Sequence, residues 1–190
     1  MREEVTALLE NRNELLTITY FKIQELFDKK YGENALVLME IGTFFEVYEV
    51  NNEKEKIGKA KEIAELLNIQ LTRKNKSILE NSKENPIMAG VPAISFEKHL
   101  ARIIAEQKYT IAIIKQKGTP PNVSRYLDVV VSPGTNFDFV VEQDDNFITS
   151  IVIDQIRGNY LIGYSAIDVT TAKCYYNEVF GTNEDKFFAL

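Results

Sequence analysis

The sequence predicts an α/β (α+β) protein: a mixed β-sheet flanked by helices, followed by a short antiparallel meander. Three observations carry this. Apolar residues recur at three- and four-residue steps over 12–30, β-rich runs alternate over 36–50, and three more β-rich runs joined by short turns fill 147–179.

The first helix is expected over Arg12 to Lys30, with Leu15, Leu16, Ile18, Phe21, Ile23, Leu26 and Phe27 as its apolar stripe and Lys29, Lys30 and Gly32 marking its end. Before it, Met1-Arg2-Glu3-Glu4 carries charge with no apolar run behind it, and no stretch reaches membrane-spanning length. Neither secretion nor a membrane anchor is expected. Leu36 to Glu40 and Thr43 to Val50 read as strands separated by Gly42, where glycine makes a turn or bulge cheap. A polar turn at Asn51 to Lys56 leads to a second helix, Ile57 to Leu67, with Ala60, Ile63, Ala64 and Leu67 on one face and Asn68 closing it.

Ile69 to Thr72 alternates as a short strand, and Arg73 to Asn85 forms a polar loop. Gly90, within Met88-Ala89-Gly90-Val91-Pro92, suggests close approach to another backbone. Ser95 stands where a cap would open a helix running to Glu106, and Tyr109 to Lys115 is the next strand. Lys117-Gly118-Thr119-Pro120-Pro121-Asn122 is the sharpest break in the chain. Tyr126 to Val131 follows as a short strand. Phe147 to Ile156, Tyr160 to Val169 and Lys173 to Val179 then form the meander, turning at Arg157-Gly158-Asn159. The expected division is a first domain over 1–118, a linker over 119–146 and the beginning of a second domain over 147–190.

Charge narrows the function classes. The net charge is −6, yet eighteen basic and eighteen acidic side chains fall in 1–118, so the whole excess lies in 119–190. Only the first part could face a polyanion, and its phosphate contacts must be local. The single cysteine, Cys174, cannot form an internal disulfide, and no Cys/His spacing suits structural zinc. A cytoplasmic protein with Cys174 buried in a strand is expected.

Within Leu36 to Tyr48, strand alternation sets Phe44 and Glu46 on one face, roughly 6.5 to 7 Å apart, and Phe45 and Val47 on the other. Taken alone, such a phenylalanine is usually core and such a glutamate usually solvated. The surrounding motifs change that weighting. Gly42-Thr43-Phe44-Phe45-Glu46 resembles the Gly-Asp-Phe-Tyr-Glu segment of the DNA mismatch repair protein family MutS. Pro86-Ile87-Met88-Ala89-Gly90-Val91-Pro92 is similar to that family's Pro-Met-Ala-Gly-Val-Pro, Tyr109 to Gln116 to its Val-Ala-Ile-Cys-Glu-Gln strand, and Ser132-Pro133-Gly134-Thr135 to its Thr-Pro-Gly-Thr. The four occur in the family's order, and the likeness runs from about Thr19 to about Tyr176. Thr43 in place of an acidic residue, Glu40 at a commonly basic position, Ala93-Ile94 in place of Tyr-His, and Lys115 in place of an acid mark a divergent branch.

The resemblance implies a mismatch-recognition domain followed by the first strands of a ribonuclease H-like connector domain. It implies that Phe44 enters the minor groove and stacks at a mispaired base, with Glu46 hydrogen-bonding that base. Arg73, Lys74 and Lys76 would neutralise phosphates beside this wedge, with Lys83, Arg102 and Lys108 as weaker candidates. No catalytic residue, metal or cofactor is expected in this stretch, which lacks a Gly-rich P-loop ending in Lys-Ser/Thr. Full-length relatives imply ATP and Mg²⁺, a DNA-dependent ATPase, a homodimer, a MutL-type partner, and duplex DNA with mismatches or small loops as ligand.

Two other readings compete. Asp154 and Asp168, near the middles of adjacent predicted strands, could hold Mg²⁺ in a nuclease, although Asp168 also suits a strand-end turn. Alternatively, the acidic second half would suit a protein-interaction module that does not bind DNA. His99 has no second ligand or base nearby in sequence and is expected to pack or face solvent.

Overall fold

The computed structural model describes residues 1–190 apart from 12, 120, 134–146, 170 and 182–190. They form two compact units, Met1–Pro133 and Gly134–Leu190. In chain order the first unit contains α1 (Arg2–Glu10), α2 (Leu16–Tyr31), β1 (Ala35–Ile41), β2 (Phe44–Asn51), β3 (Lys56–Gly58), α3 (Ala60–Leu67), β4 (Thr72–Arg73), β5 (Ile87–Pro92), a 3₁₀ turn (Ala93–Ser95), α4 (Phe96–Ala105), β6 (Thr110–Lys117) and β7 (Ser124–Val131). One mixed sheet joins the strands in the order β4-β5-β2-β1-β6-β7, with β3 also paired to β2. The β1–β6 pair is parallel and the others are antiparallel.

Helices cover both faces, and the pleat of β2 shows which side chain meets which. Tyr48 packs edge-on against Tyr20 of α2, with ring centroids 4.8 Å apart. Phe45 points the other way and stacks on Phe96 of α4, centroid to centroid 3.6 Å. The expected helix over 12–30 corresponds to α2 and buries Tyr20, Phe21, Ile23 and Phe27 completely. Helix α1 was not anticipated, although Val5, Leu8 and Leu9 stand at a three- and four-residue spacing and pack on the core; only nine residues long, it offers a single repeat of that period. Arg2 ties it down by donating from Nη2 to the Asp128 carbonyl at 3.0 Å.

Other differences have local causes. Helix α3 starts at Ala60 rather than Ile57 because Lys56–Gly58 pairs with β2. There Gly58 adopts φ +84° so close to the Tyr48 carbonyl that any side chain would collide. Ser95 precedes α4 but does not cap it; its hydroxyl donates back to the Pro92 carbonyl at 3.2 Å. Gly90 lies where close approach was expected: a Cβ there would sit 3.2 Å from the Phe45 carbonyl oxygen. The break after Lys117 is a hairpin turn. Asn122 N–H donates to Thr119 O at 2.8 Å, and β7 returns along β6 from Lys117↔Ser124 to Ile111↔Val131. Residues 124–131, assigned by sequence to a linker, are thus the edge strand of the first sheet, and the division between the units falls after Pro133 rather than at 118.

The second unit is the expected meander: β8 (Phe147–Ile156), β9 (Asn159–Asp168) and β10 (Cys174–Gly181), ordered β10-β9-β8. Arg157 (φ +52°) and Gly158 (φ +85°) make the two-residue hairpin loop whose positive φ values suit right-twisted strands. Cys174 is exposed at the start of β10, not buried as expected. Gly134 and Thr135 of the Ser-Pro-Gly-Thr motif lie outside the described residues. Among the described residues, no helix is long and apolar enough to cross a membrane.

Candidate nucleic-acid interface

The β1–β2 hairpin places the predicted pair at one end of the first sheet. Ile41 pairs with Phe44, leaving Gly42 (φ +63°) and Thr43 as the turn. Phe44, first residue of β2, is 44% exposed, whereas its neighbour Phe45 is 4% exposed in the core. The turn is held from both sides. Gln116 of β6 donates from Nε2 to Gly42 O at 2.7 Å and accepts the Gly42 N–H on Oε1 at 3.1 Å. On the other side Ala93 N–H donates to Thr43 O at 2.8 Å. An exposed ring therefore stands on a backbone turn with little freedom to swing.

Glu46, two residues inward on the same face, is 9% exposed and is not a solvated strand residue. It lies opposite Met39 on one side and Gly90 on the other, and a Cβ at Gly90 would sit 3.4 Å from Glu46 Cγ. The Tyr48 hydroxyl donates to Glu46 Oε2, Lys74 Nζ lies 3.7 Å from the same oxygen, and Lys74 Nζ also donates to Tyr48 Oη at 3.2 Å. Burial foremost, then the Glu46 carboxylate and its hydrogen bond, push the Tyr48 hydroxyl well above its usual range, so it stays protonated and donates. Arg125 of β7 donates from Nε to Glu40 O at 3.1 Å. Burial lowers its guanidinium, against the pull of Tyr48, Glu40 and Glu46.

The other predicted cations divide by what already engages them. Arg73 Nη1 donates to Ile78 O at 3.2 Å and also to Leu79 O, shaping the 73–85 loop from within. Lys74 is committed to Tyr48 and Glu46 as above. Lys76 has no hydrogen-bond or ion-pair partner among the described residues and is exposed. Lys83 bridges Glu25 at 2.7 Å and Glu55 at 2.6 Å, Arg102 caps α3 through Leu66 O and Leu67 O, and Lys108 pairs with Glu62.

Sequence reasoning passed over Tyr48, Gln116, Arg125 and Asn85. Asn85, 4% exposed, organises the supposedly solvated loop: it donates from Nδ2 to Ile78 O and Glu80 O, both at 3.0 Å, and accepts Asn75 N–H on Oδ1 at 2.7 Å. Tyr48 could have been found, since it is two residues beyond Glu46 and so shares its face. Gln116 and Arg125 act across strand pairings that a linear pattern does not display, and Asn85 acts within a loop whose closure no periodicity records.

The proposed nuclease pair is not assembled. Asp154 lies opposite Leu161, and Asp168 lies opposite Phe147 at the far end of the same ladder. Seven residues of strand separate them, roughly 23 Å, too far to share a cation. Asp168 instead sits in the strand-end turn, where its Oδ2 accepts the Thr171 hydroxyl and its N–H donates to Lys173 O at 2.8 Å. No cluster of three or more metal-ligating side chains occurs among the described residues.

Residues 20–140 match the family MutS domain I. The chain is 30% identical over 188 residues to a putative DNA mismatch repair protein mutS homolog of Acanthamoeba polyphaga mimivirus, covering 95% of this chain and 16% of the relative. It is 28% identical to a DNA mismatch repair protein MutS of Fusobacterium nucleatum (86% and 17% covered) and 30% identical to one of Streptococcus thermophilus (88% and 18% covered). The chain therefore spans about a sixth of the length of the relatives it matches. With the Gly42 turn, the end of β5 at Pro92 and the Gln116 strand meeting at one end of a single sheet, the chain belongs to the MutS family and carries its domain I.

Proposed function

We propose that this chain senses mismatches and small loops in duplex DNA on behalf of a larger mismatch repair protein. Phe44 enters the minor groove and stacks at the faulty step, while Glu46 hydrogen-bonds the displaced base. The observation that carries this reading is the contrast within one strand: Phe44 is 44% exposed on a braced turn, whereas Phe45 beside it is buried. A benzyl group left in water gains when it enters a base stack. Wedging it between sound pairs costs a few kcal/mol, and a mispaired base has already lost part of that stability, so defective sites are cheaper to deform. Lys76, exposed and unengaged among the described residues, is the cation best placed to contact phosphate, and Arg73 keeps its loop in shape.

For the whole protein we propose ATP and Mg²⁺ use, homodimerisation and a MutL-type partner, as the family resemblance implies; the relatives' names support the coarser reading of a mismatch repair protein. The test uses the full-length protein on matched and mismatched duplexes at fixed salt. Phe44→Ala is expected to abolish most of the mismatch preference while matched-duplex binding largely survives. Equal losses on both duplexes would mark Phe44 as a folding residue. A wild-type protein that binds neither duplex even at low salt would favour an interaction module.

A further inference from the structure

We infer that Ile94 is a second apolar contact with the duplex, packing on the deoxyribose that borders the step opened by Phe44, and that it engages only once that ring is in the groove. This rests on the wedge reading above and adds a residue that favours the bent complex over the straight one. Strand β5 runs antiparallel to β2 with Pro92 opposite Phe44, so the chain leaves the sheet at the wedge end, one strand spacing of roughly 5 Å away. Ala93 N–H donates to Thr43 O at 2.8 Å, level with the hairpin turn, and Ile94 comes next. Ile94 is 99% exposed, against 44% for Phe44. A single aliphatic side chain in solvent is ordinary, but this one is held at a defined place. Phe96 N–H donates to Ala93 O, the Ser95 hydroxyl donates to Pro92 O at 3.2 Å, and the Phe96 ring is stacked on buried Phe45. A β-branched side chain on a pinned turn has little freedom left to lose on contact.

The other flank of the hairpin points to the same occupant. Lys117 follows the Gln116 that grips Gly42; it is exposed and has no hydrogen-bond or ion-pair partner among the described residues. Strands β5 and β6 lie on either side of the β2-β1 hairpin, so an aliphatic group stands on one side of the ring and an ammonium on the other. A sugar-phosphate backbone offers the matching pair, an apolar sugar face and an anion. On a straight duplex the ring stays outside the groove and Ile94 is held off with it. A wedge that kinks the duplex toward the major groove spreads the minor-groove walls and brings their sugar edges against the turn.

The experiment measures full-length protein binding to matched and mismatched duplexes over a salt series, for Ile94→Ser, Ile94→Leu and Ile94→Lys, and for Phe44→Ala with and without Ile94→Ser. Because Ile94 is almost wholly in solvent, its variants should keep the wild-type urea midpoint. Ile94→Ser is expected to weaken mismatched-duplex binding about fivefold, the scale of covering roughly half an isoleucine side chain, and matched-duplex binding less than about twofold. Ile94→Leu should stay within about twofold of wild type on both. Ile94→Lys should steepen the salt dependence on the mismatched duplex by about one unit of slope, the mark of one added phosphate contact. In the Phe44→Ala background, Ile94→Ser should cost less than about twofold. Wild-type affinity in Ile94→Ser, or an unchanged salt slope in Ile94→Lys, overturns the contact, and a leucine variant as weak as the serine one overturns its apolar character. Equal losses on both duplexes, or a serine penalty undiminished in Phe44→Ala, overturn its dependence on the wedge. Failure of the wedge reading is seen separately, as a Phe44→Ala protein that keeps the wild-type mismatch preference.

Discussion

Phe44 and Phe45 are chemically identical neighbours, and the pleat of one strand sends the first to solvent at the turn and the second into a stack on Phe96. Alternation made that split readable before any coordinates, because neighbouring strand residues must face opposite ways. Which face would be covered at the hairpin end was not readable; that depends on where α2 and α4 stop. His99 sits half-buried in α4. Its Nδ1 is buried with no hydrogen-bond partner among the described residues, and burial first, then Arg102 and Lys98, lower its pKa. A lowered folded pKa means the unfolded chain takes up the proton first, so this contribution to stability is present above about pH 6.5 and is lost as pH falls through the folded value. His99→Gln is expected to flatten the urea midpoint between pH 7.5 and 5.5, where wild type should decline.

At the scale of elements, the hairpin is braced by strands distant in sequence. Gln116 grips both polar groups of Gly42 from β6, and the start of the 3₁₀ turn grips Thr43. Gln116→Ala is expected to cost about 1 kcal/mol in urea unfolding, since a bond made partly in water is replaced by solvent. The larger effect should appear in paired duplex titrations, where a looser turn lowers the mismatch preference more than matched-duplex binding. The sequence marked the Gln116 strand and the Gly42 turn as separate motifs. Their meeting follows from the parallel β1–β6 pairing, a contact across some seventy residues that no local periodicity records. The unusual residues of this branch also find partners here: Glu40 Oε2 accepts the Gln116 N–H at 2.8 Å, and Lys115 pairs with Asp128 at 2.7 Å across β6 and β7.

At the scale of the molecule, the first unit ends at Pro133, and β7 belongs to it. A chain stopped after Pro133 is expected to melt cooperatively by circular dichroism. One stopped after Gly118 loses the buried Leu127 and Val131 and the edge on which Arg2 anchors α1. At about 1.5 to 3 kcal/mol for each apolar side chain, that loss is a large part of a domain's whole stability, so the shorter chain should show no cooperative transition near the longer one's midpoint. The amino-acid sequence by itself determined the mixed sheet with its helices, the placing of Phe44 and Glu46 on one face and the meander, because apolar period and turn chemistry are local properties of the chain. Only tertiary structure decided that Glu46 is held by Tyr48 and Lys74, that Arg73 serves its own loop, that Asp154 and Asp168 stand apart, and that β7 completes the first sheet. Those outcomes depend on register and on donors arriving from remote strands, distances that exist only once the chain has closed on itself.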